Sequence, residues 1–307
     1  MPTWNEVQKD LQKYQVEAQQ SLDLVRRRYL KELYEHTQRN IIAYYSGFLS
    51  KPNIQQSEIT DEDKNGFMMA VHSLDRSKGL DLILHTPGGD LAATESIVDY
   101  LHRMFGSNIR AIVPQIAMSA GTMIACSCRE IVMAKHSSLG PIDPHLRGIP
   151  AVGVIGEFAK ACEEVKKDPA KIPIWQCIIG QYRPTFLSQC QNAIEWSKDF
   201  VGAQLEKIMF HGESDAKERA KKVVRKLTSY SDNKNHSRHI HIDECGDVIG
   251  LRVSALEEDA HLQDLILTVH HCYMHAFQNA LAYKMIENHL GLALVKNATP
   301  KNTKWPV

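Results

Sequence analysis

Apolar positions recur along residues 6–37 at steps of three and four, as Leu11, Tyr14, Ala18, Leu22, Val25, Tyr29 and Leu33. That spacing predicts one long amphipathic helix, with Lys, Glu, Gln and Arg on its remaining positions. The run Arg26-Arg27-Arg28 within it reads as a solvated face. The pattern then shortens. Asn40 to Ser46 is a brief apolar run closed by Gly47, the signature of a strand. Thr60 reads as the N-cap of a helix reaching Leu74. Residues 80–85 form a second strand, after which Asp90 caps a helix with Leu91, Thr94, Val98, Leu101 and Phe105 on one side. Residues 109–116 form a third strand leading into a helix to Cys128, and 130–134 form a fourth. Strands alternating with crossover helices predict an α/β fold with a mostly parallel, helix-flanked sheet.

Further along, 156–167 is helical, 173–179 reads as a short strand, and 189–210 and 214–228 are helices. Residues 229–237, rich in Ser, Asn and Asp, read as a flexible loop. A final helix is expected over 257–291, with a disordered tail from Asn297. These elements divide the chain into an N-terminal helical extension (1–37), a main domain (38–255) and a C-terminal helix and tail (256–307).

Composition narrows the function classes. Lys plus Arg and Asp plus Glu are 36 each, so no basic surplus points to nucleic acid or an anionic membrane. The start, Met1 to Glu6, lacks a signal pattern, and no apolar run is long enough to span a bilayer. Seven scattered cysteines, an odd number, fit a reduced, cytoplasmic protein without a disulfide framework. No metal or other cofactor is expected. His271 and His275 share a helix face but lack the Glu of a zinc motif, and no Gly-Lys-Ser/Thr follows the glycines.

The chemistry lies between Leu80 and Pro144. Two apolar strands each end in a tight turn, Thr86-Pro87-Gly88-Gly89 and Met118-Ser119-Ala120-Gly121. Small residues around Ser119 let the turn tighten and expose its hydroxyl, while the following helix favours negative charge near its first N–H groups. An N-capping serine would look the same locally. Gly89 can turn its N–H outward with no side chain in the way.

These paired turns resemble the Clp-fold serine peptidases, which include the Clp protease proteolytic subunit and signal peptide peptidase A. Ser138-Leu139-Gly140-Pro141-Ile142-Asp143-Pro144, Asp63 to Phe67 and Leu74 to Asp81 narrow the resemblance to the serine dehydrogenase proteinase family. It is specific from Tyr29 to Trp196 and weaker to Val253. The resemblance implies a Clp/crotonase-like fold of repeated ββα units, and a serine-type peptidase working through an acyl-enzyme on Ser119. It also implies an oxyanion hole from the N–H groups of Gly89 and Ala120.

The general base departs from the relatives. The slot that holds histidine in the proteolytic subunit falls near Asp143, with His145 one or two residues late. The lysine turn of signal peptide peptidase A has no counterpart in Gln176 to Gly180; Lys160 and Lys171 lie nearby outside the motif. Where the proteolytic subunit carries its acidic residue, this chain has Ser237-Arg238-His239-Ile240-His241. We therefore expect Asp143 and His239 as orienter and base in exchanged slots, with His241 or Lys171 as the alternative base. His85 and His136 flank the turns as possible substrate contacts. A peptide or unfolded protein is the expected substrate and self-association into a homo-oligomer is expected. A catalytically silent scaffold subunit and a crotonase-like acyl-CoA enzyme are the competing readings.

Overall fold

Among the described residues seven strands make one sheet, and the strand pattern explains why both its faces are covered. The computed structural model describes residues 18–146, 148–228 and 237–298. Helix α1 (Ala18–Thr37) precedes β1 (Asn40–Ser46), α2 (Asp63–Val71), β2 (Leu80–His85), α3 (Leu91–Phe105) and β3 (Ile109–Val113). The two-residue strand β4 (Ile116–Ala117), α4 (Ala120–Cys126), β5 (Glu130–Met133) and another two-residue strand, β6 (Ser138–Leu139), follow. A short antiparallel hairpin, β7 (His145–Leu146) and β8 (Ile149–Pro150), leads to α5 (Ala151–Lys167), α6 (Ile172–Ile179), α7 (Phe186–Gln204) and α8 (Ala216–Thr228). Strand β9 (Val253–Ala255), α9 (Ala260–Asn279), β10 (Ala282–Asn288) and β11 (Ala293–Asn297) complete the order.

The sheet runs β11-β10-β1-β2-β3-β5-β9. The five strands from β1 to β9 are parallel, with Tyr45 opposite His85 and Ile83 opposite Ile112. Every residue of β1 and β2 is buried, as expected of strands covered on both faces. Ile42, Tyr44, Leu82, Leu84 and Ala111 face a core completed by α2, α3, α4, α7 and α8. Their neighbours Ile41, Ala43, Tyr45, Ile83 and Ile112 face a second core built with α1 and α9. The fold is the expected α/β sheet with helices on both sides.

Several elements differ from the expectation. The C-terminal helix ends at Asn279, and Ala282–Asn288 is instead a fully buried strand antiparallel to β1. Its sequence, Ala-Tyr-Lys-Met-Ile-Glu-Asn, hides the alternation because both charges are buried: Lys284 pairs with Asp63 at 2.9 Å and Glu287 with Arg26 at 2.5 Å. Arg26 is therefore a core residue and not part of a solvated face. Residues 173–179 lie within helix α6, with Pro173 in its first turn, and not in a strand; a short apolar run carries no period that separates the two. Thr60 does not cap α2; the helix starts at Asp63, whose Oδ2 accepts the Thr60 N–H at 3.0 Å. The predicted helix to Phe210 is α7 followed by a π-helical turn, Leu205–Met209. Residues 6–17 of the predicted first helix, 229–236 of the predicted loop and 299–307 of the predicted tail lie outside the described residues, and Asn297, the expected start of that tail, closes strand β11. Among the described residues no helix is long and apolar enough to cross a membrane.

Candidate active site

Thr86, the first residue after β2, ties the two turns together. Its N–H donates to the Ile116 carbonyl at 3.1 Å, and its own carbonyl accepts the Met118 N–H at 3.1 Å. Its hydroxyl accepts the Gly88 N–H at 3.1 Å. Gly121 has no room for a side chain, since a Cβ there would meet Thr86 Cγ2 at 2.5 Å. The helix carrying Ser119 at its start is thus packed directly onto the Pro-Gly-Gly turn.

Ser119 is half-buried and has φ +49°, ψ −113°, a backbone conformation that L-residues with a side chain seldom adopt. Although it occupies the N-cap position of α4, its hydroxyl makes no capping hydrogen bond. The capping alternative left open by the sequence therefore does not describe this side chain. Asp90 shows what a cap looks like here: its carboxylate accepts the Ala93 N–H at 2.8 Å.

Gly89 lies against a backbone segment that sequence reasoning did not single out. The Ile59 N–H donates to the Gly88 carbonyl at 2.8 Å, and the Asp90 N–H donates to the Ile59 carbonyl at 2.9 Å. In a parallel bridge of this kind, the N–H of the central residue points away from its partner strand, here away from Ile59. A Cβ on Gly89 would come within 2.2 Å of Ile59 N, so only glycine fits. Ala120 is the first residue of α4, where an N–H has no acceptor within its own helix.

A cleft of about 490 Å³ opens at these turns, lined by Gly89, Ser119, Met123, His145, Leu146, Trp196 and their neighbours. Trp196 is fixed by its indole N–H donating to Glu95 at 2.8 Å. The route to His145 is well braced. Ser138 and Leu139 bond to Gln115 and Ile240, the Gly140 N–H donates to Thr122 Oγ1 at 2.9 Å, and the Ile142 N–H donates to the Leu227 carbonyl at 3.1 Å. This run delivers a buried Asp143 and, two residues on, His145, with Oδ2 and Nε2 3.6 Å apart. Asp143 and His145 can meet because alternate residues of an extended chain share a side. The Asp-x-His spacing is the sequence signal of this proximity.

The other expected bases go elsewhere. His239 Nδ1 is 2.7 Å from Ser138 Oγ, and His241 Nδ1 donates to the Ser137 carbonyl at 2.9 Å. Lys171 pairs with Glu164 at 3.1 Å. None of the three lines the Ser119 cleft, whereas His145 does and stands 3.6 Å from Asp143. The 239–241 segment bridges Leu139 through Ile240, upstream of Asp143. His85 is also not a substrate contact. It is wholly buried on the opposite face of the sheet, where burial depresses its pKa to about 3. His136 donates to the Pro114 carbonyl at 3.0 Å.

Residues 12–256 match a protein family described as ClpP-like SDH-type serine proteinase. Two proteins of Methanocaldococcus jannaschii are similar. Uncharacterized protein MJ0137 is 34% identical over 159 residues, covering 50% of this chain and 53% of that protein. Uncharacterized protein MJ1495 is 29% identical over 171 residues, covering 56% of this chain and 51% of that protein. The aligned part thus spans about half the length of these curated relatives.

Proposed function

The chain belongs to the ClpP-like SDH-type serine proteinase family, and from that premise we propose that it cleaves peptide bonds in polypeptides through an acyl-enzyme on Ser119. The observation that carries this reading is the strained Ser119, whose hydroxyl makes no capping bond, packed against Gly88 and lining the cleft with Gly89. Backbone strain of this kind is retained where a function needs it.

In this reading Ser119 Oγ attacks the substrate carbonyl. The oxyanion that forms accepts hydrogen bonds from the Gly89 and Ala120 N–H groups, and losing one such donor costs roughly 10²–10³ in rate. His145 takes the Ser119 proton and returns it to the leaving amine. Asp143 orients the imidazole and stabilises its charged form. Water then hydrolyses the ester by the reverse sequence. An acyl-CoA enzyme of the crotonase type needs no nucleophile, and it would leave the strain at Ser119 without a purpose.

The test is intact-mass measurement after treatment with a fluorophosphonate, on wild type, Ser119→Ala, His145→Ala and His239→Ala. The expected result is one adduct in wild type, none in Ser119→Ala, labelling slowed at least about 10²-fold in His145→Ala, and near-normal labelling in His239→Ala. Folded wild-type protein that takes up no label would overturn the nucleophile. Normal labelling of His145→Ala with loss in His239→Ala would return the base to His239.

A further inference from the structure

Lys284 is a fully buried lysine on β10, a strand beyond the residues that match the family. We propose that Lys284 is a positioning residue for the oxyanion-binding turn, acting through two peptide groups in series. The inference rests on the reading of Gly89 as an oxyanion donor.

The first link is the Lys284 ammonium, which donates to the Glu58 carbonyl at 2.6 Å. A trans peptide is planar, and its N–H points opposite to its C=O. The Glu58 carbonyl shares its plane with the Ile59 N–H, so holding the one aims the other. The Ile59 N–H donates to the Gly88 carbonyl at 2.8 Å. That carbonyl in turn shares its plane with the Gly89 N–H, the group proposed to meet the oxyanion. The orientation of the Gly89 N–H is therefore set, two peptide planes away, by a cation on the C-terminal strand. Aligned hydrogen bonds also polarise one another, so the positive charge at the far end strengthens Gly89 as a donor.

The rest of the surroundings fixes the ammonium itself. Asp63 accepts from Lys284 at 2.9 and 3.0 Å, and it also accepts the Tyr44 hydroxyl at 2.9 Å and the Thr60 N–H at 3.0 Å. Lys296 lies 3.2 Å from the same carboxylate. Asp63 thus secures both the lysine and the far end of the 58–60 segment. A buried ion pair is weak evidence for stability, since apolar residues of similar volume often replace one without loss. What an apolar residue cannot supply is the donor to Glu58.

The test uses the full chain, with a peptide substrate and kcat and KM measured separately. Lys284→Met is compared with Arg26→Met, which breaks a buried ion pair to Glu287 on the opposite face of the same strand. Both variants are expected to lose stability. Lys284→Met is expected to lose about 10²-fold in kcat with KM within about twofold of wild type, the mark of a defect confined to the transition state. Arg26→Met is expected to keep kcat within about threefold, a change worth under about 1 kcal/mol. Equal kcat in Lys284→Met and wild type overturns the inference, as does an equal loss in Arg26→Met. If Lys284→Met is recovered unfolded, Lys284→Arg carries the test. Its planar fork cannot reproduce the contacts of a compact ammonium, so kcat equal to wild type overturns the inference. Fluorophosphonate labelling of wild type separates the two readings. Without an adduct both fall; with one, and with kcat intact in the Lys284 variants, only the positioning role falls.

Discussion

Gly88 and Ser119 are packed so closely that a Cβ built on Gly88 would stand 2.8 Å from Ser119 Cβ and 2.8 Å from the Met118 carbonyl oxygen. Gly88 also has φ +100°. Gly88→Ala therefore combines a backbone penalty with a clash against main-chain atoms that cannot swing aside. The expected outcome is a loss of about 1–3 kcal/mol in unfolding free energy and at least about 10²-fold in kcat/KM, because a displacement of about 1 Å at a reacting group is enough for that. Chemical denaturation and peptide-hydrolysis kinetics read the two effects. Unchanged kinetics would mean the two turns do not act as one unit.

Ser119 itself carries a cost that its removal should reveal. Its conformation, φ +49° and ψ −113°, suits glycine, and its hydroxyl caps nothing. Ser119→Gly is expected to abolish activity while raising stability by about 1 kcal/mol. Asp90→Ala, which removes a cap bonded to the Ala93 N–H, is expected to lose about 1 kcal/mol. Urea midpoints moving in opposite directions for the two variants would support the strain argument. A midpoint that falls for Ser119→Gly would contradict it.

The contrast between these residues also explains what the sequence could disclose. The parallel core was legible because β1, β2 and β3 are apolar, β-branched runs, each followed by a turn and a helix with a clear period. The Ser119 and Gly89 turns were legible as a pair because each follows an apolar strand; taken singly, a serine N-cap and an ordinary Pro-Gly-Gly turn look the same. Strand β10 was not, because Lys284 and Glu287 break its apolar pattern and their partners, Asp63 and Arg26, lie more than two hundred residues away. The place of His145 was only partly legible: its two-residue offset from Asp143 is visible in the sequence, but it is the β7–β8 hairpin that sets His145 in the cleft lining. The role of Ile59 could not be read at all, since it acts only through its backbone.

Acid sensitivity should arise on the face of the sheet away from the cleft. His85 is packed among Tyr45, Phe48 and His270, with ring centroids 5.5, 5.2 and 5.2 Å away, and neither of its ring nitrogens has a hydrogen-bond partner among the described residues. Burial lowers its pKa from the ordinary 6.5 to about 3, and burial lowers that of His270 too, with the neighbouring His85, His271 and His136 adding to the effect. The native state thus keeps His85 neutral where the unfolded chain binds a proton. Stability is full above the unfolded value and is lost as pH falls from 6.5 towards 3, at up to about 1.4 kcal/mol per pH unit for one such group. Unfolding free energies measured between pH 5 and pH 6.5 should show this slope, and His85→Phe should flatten it by about that amount. An unchanged slope in His85→Phe would remove His85 from the account.

Arg26 and Arg27 are neighbours in sequence and meet the same Glu287, yet they should behave as different kinds of residue. Arg26 is wholly buried, 2.5 Å from Glu287 and 2.9 Å from Asp23, while the Arg27 side chain is 45% exposed at 2.9 Å from Glu287. Removing Arg26 leaves Glu287 in the interior with Arg27 and the Tyr273 hydroxyl as its remaining partners. Arg26→Met is expected to cost about 3–5 kcal/mol, since breaking a buried pair strands a charge in a poorly solvating environment. Arg27→Met is expected to cost about 1 kcal/mol or less, as for other solvent-screened pairs. The double variant Arg26→Met with Glu287→Gln should recover part of the loss by removing the stranded charge, which is the sign of a buried pair. Equal effects of the two single variants in denaturant unfolding would mean that Glu287 draws its stabilisation from both arginines alike, and that burial does not separate them.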